Sequence, residues 1–214
     1  MSTSLDILLI PLSSLVIITA FYMQGQEFIR PMIRGQMVQS LLIAFISVIM
    51  GIIESDYDFF VLAVLIVAIR GFLITIFLER AIGSEKHLHE KNVSVAYMFI
   101  VSLIFVLISV FIIYSLVFST ISITSIEWNR GILIFPLALF FQGLFLIASR
   151  RSTYTQIMGY VEEENALVLF AVFLIPVPLL IEASVFLDVL ALVVISSVVV
   201  VEKFSHEKVE ELRG

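Results

Sequence analysis

The chain has 214 residues, of which 61% are hydrophobic and only 14% are charged. Soluble domains hold about 45–50% apolar and about 25% charged residues, so this composition, with a mean hydropathy of +1.15, excludes a soluble globular protein. The absence of cysteine excludes disulfides and thiolate-bound zinc, nickel or iron–sulfur clusters. A net charge of −6 argues against a nucleic-acid-binding protein, which needs clustered lysine and arginine.

Runs of about 20 mostly apolar residues, the length that crosses about 30 Å of hydrocarbon, recur along the whole sequence. The predicted spans are Leu5–Met23, Met37–Ile53, Phe59–Leu78, Val93–Phe118, Ile132–Ser149, Tyr154–Ile175 and Leu179–Val201. The first span has no basic segment before it and is followed by further spans, so we expect it to be retained rather than cleaved as a signal peptide. The sequence therefore predicts an all-α, polytopic membrane protein with seven transmembrane helices.

The sixth predicted span is the least regular, because the run Glu-Glu-Glu-Asn stands at 162–165, in its middle. A six-span alternative treats 150–165 as a polar loop and begins a helix at Ala166. That helix is either too short to cross before Pro176 or runs on and puts the basic C-terminus outside. The distribution of charge favours seven spans.

Lysine and arginine fall almost entirely on one side of the seven spans. That side receives Arg30, Arg34, Arg80, Lys86, Lys91, Arg150, Arg151, Lys203, Lys208 and Arg213. The opposite side receives Arg130, and Arg70 lies within the third span. Because cytoplasmic loops collect basic residues, we expect the N-terminus outside and the C-terminus in the cytoplasm.

The familiar catalytic motifs do not occur in this sequence. There is no phosphate-binding GxxxxGK[ST] loop, no HExxH and no GxSxG. His87 and His89 form a His-x-His pair in the polar connection 82–92, but without further ligands nearby a solvated loop is favoured over a metal site. The sequence thus predicts neither an ordinary hydrolase nor a nucleotide-driven pump, and no metal site.

Several ionisable residues fall at bilayer depth, where each costs at least about 2.5–3.5 kcal/mol to insert. At about 1.5 Å per helical residue, Arg70, Glu164 and Asp188 lie roughly 15, 20 and 22 Å from the cytoplasmic ends of their spans. Glu162 and Glu163 accompany Glu164, and a further acid, Glu182, lies nearer the outer face of the last span.

This arrangement predicts a band of charge that runs parallel to the membrane plane. The acids outnumber the single base, so they are not all neutralised as inert pairs between helices. Which carboxyl Arg70 meets is left open by the sequence. Successive helical residues turn by about 100°, so Glu162 and Glu163 cannot both share the face of Glu164, and we expect at least one of them to face another subunit. Tyr160, one turn before Glu164, is a candidate hydrogen-bond partner.

The C-terminal third resembles a known family. Residues 150–165 read Arg-Arg-Ser-Thr-Tyr-Thr-Gln-Ile-Met-Gly-Tyr-Val-Glu-Glu-Glu-Asn, followed by Pro-Leu-Leu-Ile-Glu at 178–182, Asp188, and Glu-Leu-Arg-Gly at 211–214. In this order, a basic pair, Gln-Ile-x-Gly-Tyr, Glu-Asn, Pro-Leu-x-x-Glu and an Asp resemble component E of hydrogenase-4. Upstream the similarity rests on Gln-Ser-Leu at 39–41 and on Arg70.

The resemblance extends to the small K-type subunit of complex I. It implies that residues 131–214 form a K-like three-helix unit with a short cytoplasmic tail and that residues 1–130 are an added four-helix segment. Glu164 and Glu182 would correspond in role to the membrane carboxylates of that subunit. Ala166 stands where the family often has glycine, and Glu162 and Glu163 are extra acids, so the identity of the proton-carrying group stays open.

The implied function is that of a non-catalytic membrane-arm subunit of a complex I-like, energy-converting hydrogenase or related oxidoreductase. Its expected partners are antiporter-like and other membrane-arm subunits, and a peripheral module that carries nickel–iron and iron–sulfur centres. The chain itself would hold no cofactor and would lie in the plasma membrane of a prokaryote. An independent secondary transporter and a structural scaffold subunit are the alternatives.

The predicted functional residues fall into three groups. The candidate proton-relay residues are Glu162, Glu163, Glu164, Glu182 and Asp188. Arg70 is expected to tune their charge, and Tyr160 and Asn165 to support them.

Overall fold

The computed structural model describes residues 2–82, 94–117 and 130–174, together with Val185, Phe186, Asp188, Val189, Val193, Ser196 and Ser197. Helices make up the regular structure of these residues, and no strand occurs among them. The elements are α1 (Ser2–Gln24), α2 (Ile29–Glu54), α3 (Asp58–Ile66), a π-helix π1 (Val67–Leu73), α4 (Ile74–Ile82), α5 (Val95–Ile112), a second π-helix π2 (Ile113–Val117), a 3-10 turn (Arg130–Leu133), α6 (Ile134–Ser149) and α7 (Thr153–Leu174).

Four helical stretches of the described chain are long and apolar enough to cross a membrane. They are Ile29–Glu54, Asp58–Ile82, Val95–Ser115 and Gly131–Ser149. A shorter apolar helix covers Leu8–Gln24. The predicted all-helical fold is therefore confirmed for the described residues, and its four long apolar helices are compatible with a membrane protein, whereas the count of seven spans and their orientation stay predictions. The seventh span falls mostly outside the described residues, as does the Pro-Val-Pro turn at 176–178.

The region after Arg151 is helical from Thr153 to Leu174. The alternative in which 150–165 forms a polar loop is therefore wrong. The helix continues through the acidic run because its two neighbours in space, α2 and α6, cover two of its faces. Burial of apolar residues on both sides of the run, such as Val161 and Ala166, favours the continuous helix.

Helix α2 begins earlier than the predicted second span, at Ile29 rather than Met37. Ile29, Met32 and Ile33 are buried, and packing of this apolar face extends the helix toward the N-terminus. Arg30 and Arg34, which the sequence places in a loop, lie instead on the first turns of α2. The helix therefore includes residues that the sequence leaves between the first two predicted spans.

A tight turn at 55–57 joins α2 to α3. Ser55 adopts a left-handed conformation with φ 54° and caps α2, and its backbone N–H bonds the carbonyl of Gly51. Asp56 Oδ1 then accepts a hydrogen bond of 3.0 Å from the backbone N–H of Asp58 at the start of α3. The two helices therefore form a hairpin, with the exposed Tyr57 at its tip.

Helices α6 and α7 pack most closely where two glycines face each other. A Cβ atom on Gly143 would lie 2.8 Å from the backbone nitrogen of Glu163 and 2.9 Å from the carbonyl oxygen of Gly159. A side chain at either glycine would therefore force the two backbones apart. Small residues at such contacts are typical of helices that pack inside a membrane, and this contact fixes the height of the acidic run of α7 against α6.

Candidate functional site

Four ionisable side chains of the described chain are buried together in the interior. Arg70, Glu162 and Asp188 are fully buried, and Glu164 is 2% exposed. Arg70 is supplied by π1 and the two glutamates by α7. Irregular π-helical turns occur frequently at functional sites, and π1 places both Arg70 and Gly71 in the interior.

Arg70 contacts Asp188 directly. Its Nε donates a hydrogen bond of 2.6 Å to Asp188 Oδ1. The distance from Arg70 Nη2 to Glu164 Oε2 is 3.9 Å, which is too long for a hydrogen bond. The structure thus answers the question that the sequence leaves open: Asp188 is the bonded partner of Arg70, and Glu164 is a more distant one.

Asn165 joins this ion pair to helix α2. Its Oδ1 accepts a hydrogen bond of 3.3 Å from Arg70 Nη1. Its Nδ2 donates to Gln39 Oε1 at 3.0 Å and to Ser40 Oγ at 3.1 Å. The side-chain amide of Asn165 therefore connects α7 to two other elements: its oxygen contacts π1 and its nitrogen contacts α2.

Glu162 and Glu164 differ from Asp188 in their partners. Neither carboxylate forms a hydrogen bond of good geometry with any side chain in the described part of the protein. The side chain of Gln39 lies beside Glu162, and Tyr160 lies beside Glu164. Buried polar atoms without a protein partner are ordinarily satisfied by water, so the surroundings of each of these two carboxyls are suited to hydration.

Charges in the cluster do not balance. Within the described ranges Arg70 contacts two of these carboxyls, Asp188 and Glu164, and Glu162 is a third buried acid that it does not contact. A buried ion pair is tolerated when both members are satisfied, but an additional buried carboxylate carries a desolvation cost of several kcal/mol. The arrangement therefore disfavours simultaneous ionisation of all three acids.

The remaining predicted site residues lie at different places. Glu163 is only partly buried, on the side of α7 that faces α6, and its backbone contacts the Gly143 position. Tyr160 is partly buried one turn from Glu164. Glu182, His87 and His89 lie outside the described residues. Across the described ranges no three His, Cys, Asp or Glu side chains are arranged to hold a metal ion.

A second buried polar cluster connects α1 to α6. Arg150 Nη2 donates a hydrogen bond of 2.6 Å to the backbone carbonyl of Gln24, the last residue of α1. Gln24 Nε2 in turn donates to the carbonyl of Gln142 at 3.0 Å. Arg150 is buried, whereas the neighbouring Arg151 is exposed. The basic pair is therefore divided, with one member stabilising a helix C-terminus and the other in contact with solvent.

Sequence reasoning missed the contribution of α2 to the site. Gln39 and Ser40 entered it only through the family resemblance, and Gln36 was not considered. All three are buried. Their spacing of three and four residues places them on one face of an otherwise apolar helix, and that polar stripe is the signal from which they could have been identified.

Comparisons with family models, with curated proteins and with solved structures find no match to this chain.

Proposed function

We propose that this protein is a non-catalytic membrane-arm subunit of a complex I-like, energy-converting hydrogenase or related oxidoreductase. It would contribute buried carboxyls to proton or sodium movement that is coupled to redox chemistry in partner subunits. The observation that carries this proposal is the buried cluster in which Arg70 bonds Asp188 while Glu162 and Glu164 make no hydrogen bond to a described side chain.

The residues of the cluster take different roles in this proposal. Asp188 holds Arg70 in place as its bonded counter-ion. Glu164 exchanges the proton, because it is close enough to Arg70 to feel its charge yet is not bonded to it. Glu162 provides a second exchangeable carboxyl, and Tyr160 and Asn165 support the two glutamates. Glu163 and Glu182 are further candidate relay residues, and the sequence alone supports their inclusion.

The way in which the cluster extends across several helices also supports the proposal. Its side chains come from α2, π1 and α7 and meet at one level, rather than following a single helix from end to end. Such a band passes charge sideways between neighbouring helices. A subunit inside a larger membrane arm needs that geometry, because the groups that drive transport and the groups that release the ion lie on other chains.

The division of the chain follows the resemblance. Residues 131–214 would form the K-like unit and residues 1–130 an added membrane segment. The partner subunits would include antiporter-like chains and a peripheral module with nickel–iron and iron–sulfur centres. The assembly would lie in the plasma membrane of a prokaryote, where a redox reaction can charge the membrane.

The proposal is tested by Glu164→Gln in the assembled complex. Ion pumping is measured in inverted membrane vesicles, and assembly by co-purification in mild detergent. We expect a complex of normal composition whose redox reaction no longer acidifies or loads the vesicle. Glu79→Gln is the matched control, because Glu79 is an exposed residue of α4 and its loss should leave pumping unchanged. Normal pumping by the Glu164 variant would refute the assignment.

The same experiment separates the two alternatives. If the chain is a scaffold, Glu164→Gln removes partner subunits from the purified complex rather than pumping. If it is an independent secondary transporter, the purified chain transports ions in proteoliposomes without any partner. The subunit proposal expects no transport there.

A further inference from the structure

The buried apolar core of the described chain is interrupted on three neighbouring helices. Its two apolar clusters leave gaps at 34–42 on α2, 140–145 on α6 and 162–165 on α7. Apart from glycines, every buried residue in these gaps is polar. These polar residues are Gln36, Gln39, Ser40, Gln142, Glu162, Glu164 and Asn165.

The gaps meet inside a ring of four helices, in which α1, α2, α7 and α6 each pack against the next. A Cβ atom on Gly35 of α2 would lie 2.9 Å from Met23 Cγ of α1. The next residue of α1, Gln24, donates a hydrogen bond of 3.0 Å to the carbonyl of Gln142 on α6. The glycine that follows Gln142 packs against the backbone of Glu163 on α7. These contacts link the four helices at one level.

Helices α2 and α7 run in the same direction through this ring. The hydrogen bond from Arg150 to the carbonyl of Gln24 brings the ends of α6 and α1 together. Helices α2 and α7 begin after short turns at 25–28 and 150–152. They therefore leave from the same end of the ring, and residues equally far along them lie at similar levels.

Gln36 and Glu162 lie at one level on the facing sides of α2 and α7. Ser40 accepts a hydrogen bond of 3.1 Å from Asn165, which defines these facing sides. Gln36 stands four residues before Ser40 and Glu162 three residues before Asn165, so each lies one turn earlier on the same side of its helix. Both side chains are buried, and neither amide atom of Gln36 nor either oxygen of Glu162 has a hydrogen-bond partner within the described chain.

The side chains of Gln24 and Gln142 continue this polar layer onto α1 and α6. Both are fully buried. Oε1 of Gln24 and both amide atoms of Gln142 have no partner in the part of the chain that the structure describes. Each helix of the ring therefore supplies a buried side chain with unpartnered polar atoms. Such atoms destabilise a fold when they are left dry, and ordered water ordinarily satisfies them.

We propose that Gln24, Gln36, Gln142 and Glu162 enclose a hydrated site, whose ligand is water and which opens toward the end of α1. Unpartnered atoms of the site include amide nitrogens as well as oxygens. Water both donates and accepts hydrogen bonds, so it can satisfy both kinds of atom and either protonation state of a carboxyl. A cation would leave the amide N–H groups without an acceptor.

The opening follows the seam between α1 and α6. Along this seam polar groups continue past the second apolar cluster, because Arg150 bonds the carbonyl of Gln24 at 2.6 Å. Ser149 stands seven residues after Gln142, on the same side of α6, and its buried Oγ has no partner within the described ranges. The next residue along, Arg151, is exposed. The seam therefore leads from the hydrated site to solvent.

As a route for protons, the hydrated site rests on the proposed function. In one direction, a hydronium ion in the site gives its proton to the carboxylate of Glu162 and becomes water. In the other direction, the neutral carboxyl returns the proton to water. Hydration itself depends only on the buried polar atoms, so it is measured without transport.

The absence of cysteine allows the site to be probed with single thiols. Gln36→Cys and Gln142→Cys place a thiol in the hydrated site, and Ile43→Cys and Leu139→Cys are matched controls at fully buried residues of the same helices. Native membranes that contain the assembled complex are treated with methanethiosulfonate ethylammonium, and unreacted thiols are then counted in denaturant with a fluorescent maleimide. A hydrated thiol ionises and a thiol in a dry core does not, so we expect the two site thiols to react faster than the controls by on the order of tenfold or more.

The direction of access is measured against Arg151→Cys, whose thiol is exposed at the end of α6. In sealed vesicles, free cysteine in the opposite compartment destroys any reagent that crosses the bilayer. The thiols at Gln36 and Gln142 should react from the side that reaches Arg151→Cys. Reaction no faster than that of the controls, or reaction from the opposite side, would overturn the proposal.

A measurement on the unmodified chain decides the question if the cysteine variants do not fold. Hydroxyl radicals that an X-ray pulse forms in bound water oxidise neighbouring methionines. Met32 and Met158 are fully buried one turn before Gln36 and Glu162, and Met50 is a buried control in the other apolar cluster. Mass spectrometry should show several-fold faster oxidation of Met32 and Met158 than of Met50. Equal oxidation of the three would overturn the proposal.

The remaining outcomes separate water from a cation and the hydrated site from the proposed function. Protection of the site thiols by sodium, but not by potassium at equal ionic strength, would assign the site to a cation and overturn the proposal. Neither measurement requires pumping, so a hydrated site together with normal pumping by Glu164→Gln would remove the proposed function alone. Lost pumping together with unreactive site thiols would remove the hydrated site alone.

Discussion

Arg70 and Asp188 stand 118 residues apart in the sequence, and their side chains meet at 2.6 Å in the interior. Both are fully buried. A hydrogen-bonded pair of opposite charges in this setting ties the third predicted span to the last one. Substitution can separate the energetic role of this pair from the role in transport that we propose for it.

Removal of one partner of this pair is expected to destabilise the protein strongly. Arg70→Gln leaves Asp188 and Glu164 without their positive neighbour, and loss of one member of a buried pair costs about 3–5 kcal/mol. The midpoint of unfolding in detergent, followed by circular dichroism, should fall accordingly. An unfolding midpoint equal to that of the wild type would show that Asp188 is satisfied by other groups.

The double substitution Arg70→Met with Asp188→Leu is expected to recover most of that stability. Two apolar side chains of similar size pack without leaving an uncompensated charge. Under the proposed function, ion pumping by the assembled complex should nevertheless be lost, because the charge proposed to act on Glu164 is gone. Recovery of both stability and pumping would mean that the pair serves the fold alone.

The contact between α6 and α7 predicts an asymmetric response to glycine substitution. Gly143→Ala places a methyl group 2.8 Å from the Glu163 backbone nitrogen, and such overpacking costs about 1–3 kcal/mol. Gly71→Ala is the matched control, because its Cβ would lie 3.7 Å from Leu41 Cδ2, an ordinary contact. Thermal unfolding in detergent should therefore shift for Gly143 and not for Gly71, and equal shifts would contradict the close approach.

The divided basic pair predicts that two adjacent arginines differ in their effect on stability. Arg150→Ala removes a charged hydrogen bond to the C-terminal carbonyl of α1, and a bond of this kind contributes about 1.5–3 kcal/mol. Arg151 is exposed, and its replacement by alanine should change stability by less than about 0.5 kcal/mol. Chemical unfolding of the two variants in parallel measures the difference, and a reversed order would contradict the buried contact.

The absence of cysteine permits a direct test of the predicted orientation. In a seven-span topology with the N-terminus outside, the turn at Tyr57 faces outward and Arg151 faces the cytoplasm. Tyr57→Cys should therefore react with a membrane-impermeant maleimide in intact cells. Arg151→Cys should react only after permeabilisation. Reaction of both sites from one side would contradict the predicted topology.

Part of the site could be predicted from sequence because depth in a membrane follows from residue count. The helical rise placed Arg70, Glu164 and Asp188 at one level, and the structure brings these three side chains together. The choice between the carboxyls depends on the rotation of each helix about its axis. These helices carry apolar residues on all faces, so the sequence gives little information about their rotation. The bonded partner of Arg70 could therefore not be derived.

Other features depend on contacts between distant residues, which no local sequence pattern indicates. The burial of Gln39 and its bond to Asn165 require α2 and α7 to be adjacent, across 126 residues of sequence. The early start of α2 depends on a core for Ile29 and Met32. Local hydropathy detected the apolar segment but not its packing partners, so it placed the beginning of the helix at Met37.

Because Val67–Leu73 is π-helical, the site depends on the number of residues in this segment as well as on their identity. A π-turn accommodates one residue more than the α-helical turn that it replaces. Deletion of a single apolar residue there would restore regular winding and rotate α3 against α4 by about 100°, exchanging surface that faces the bilayer with surface that faces the interior. Every charged side chain would survive such a deletion, yet Arg70 could no longer keep its bonds to both Asp188 and Asn165.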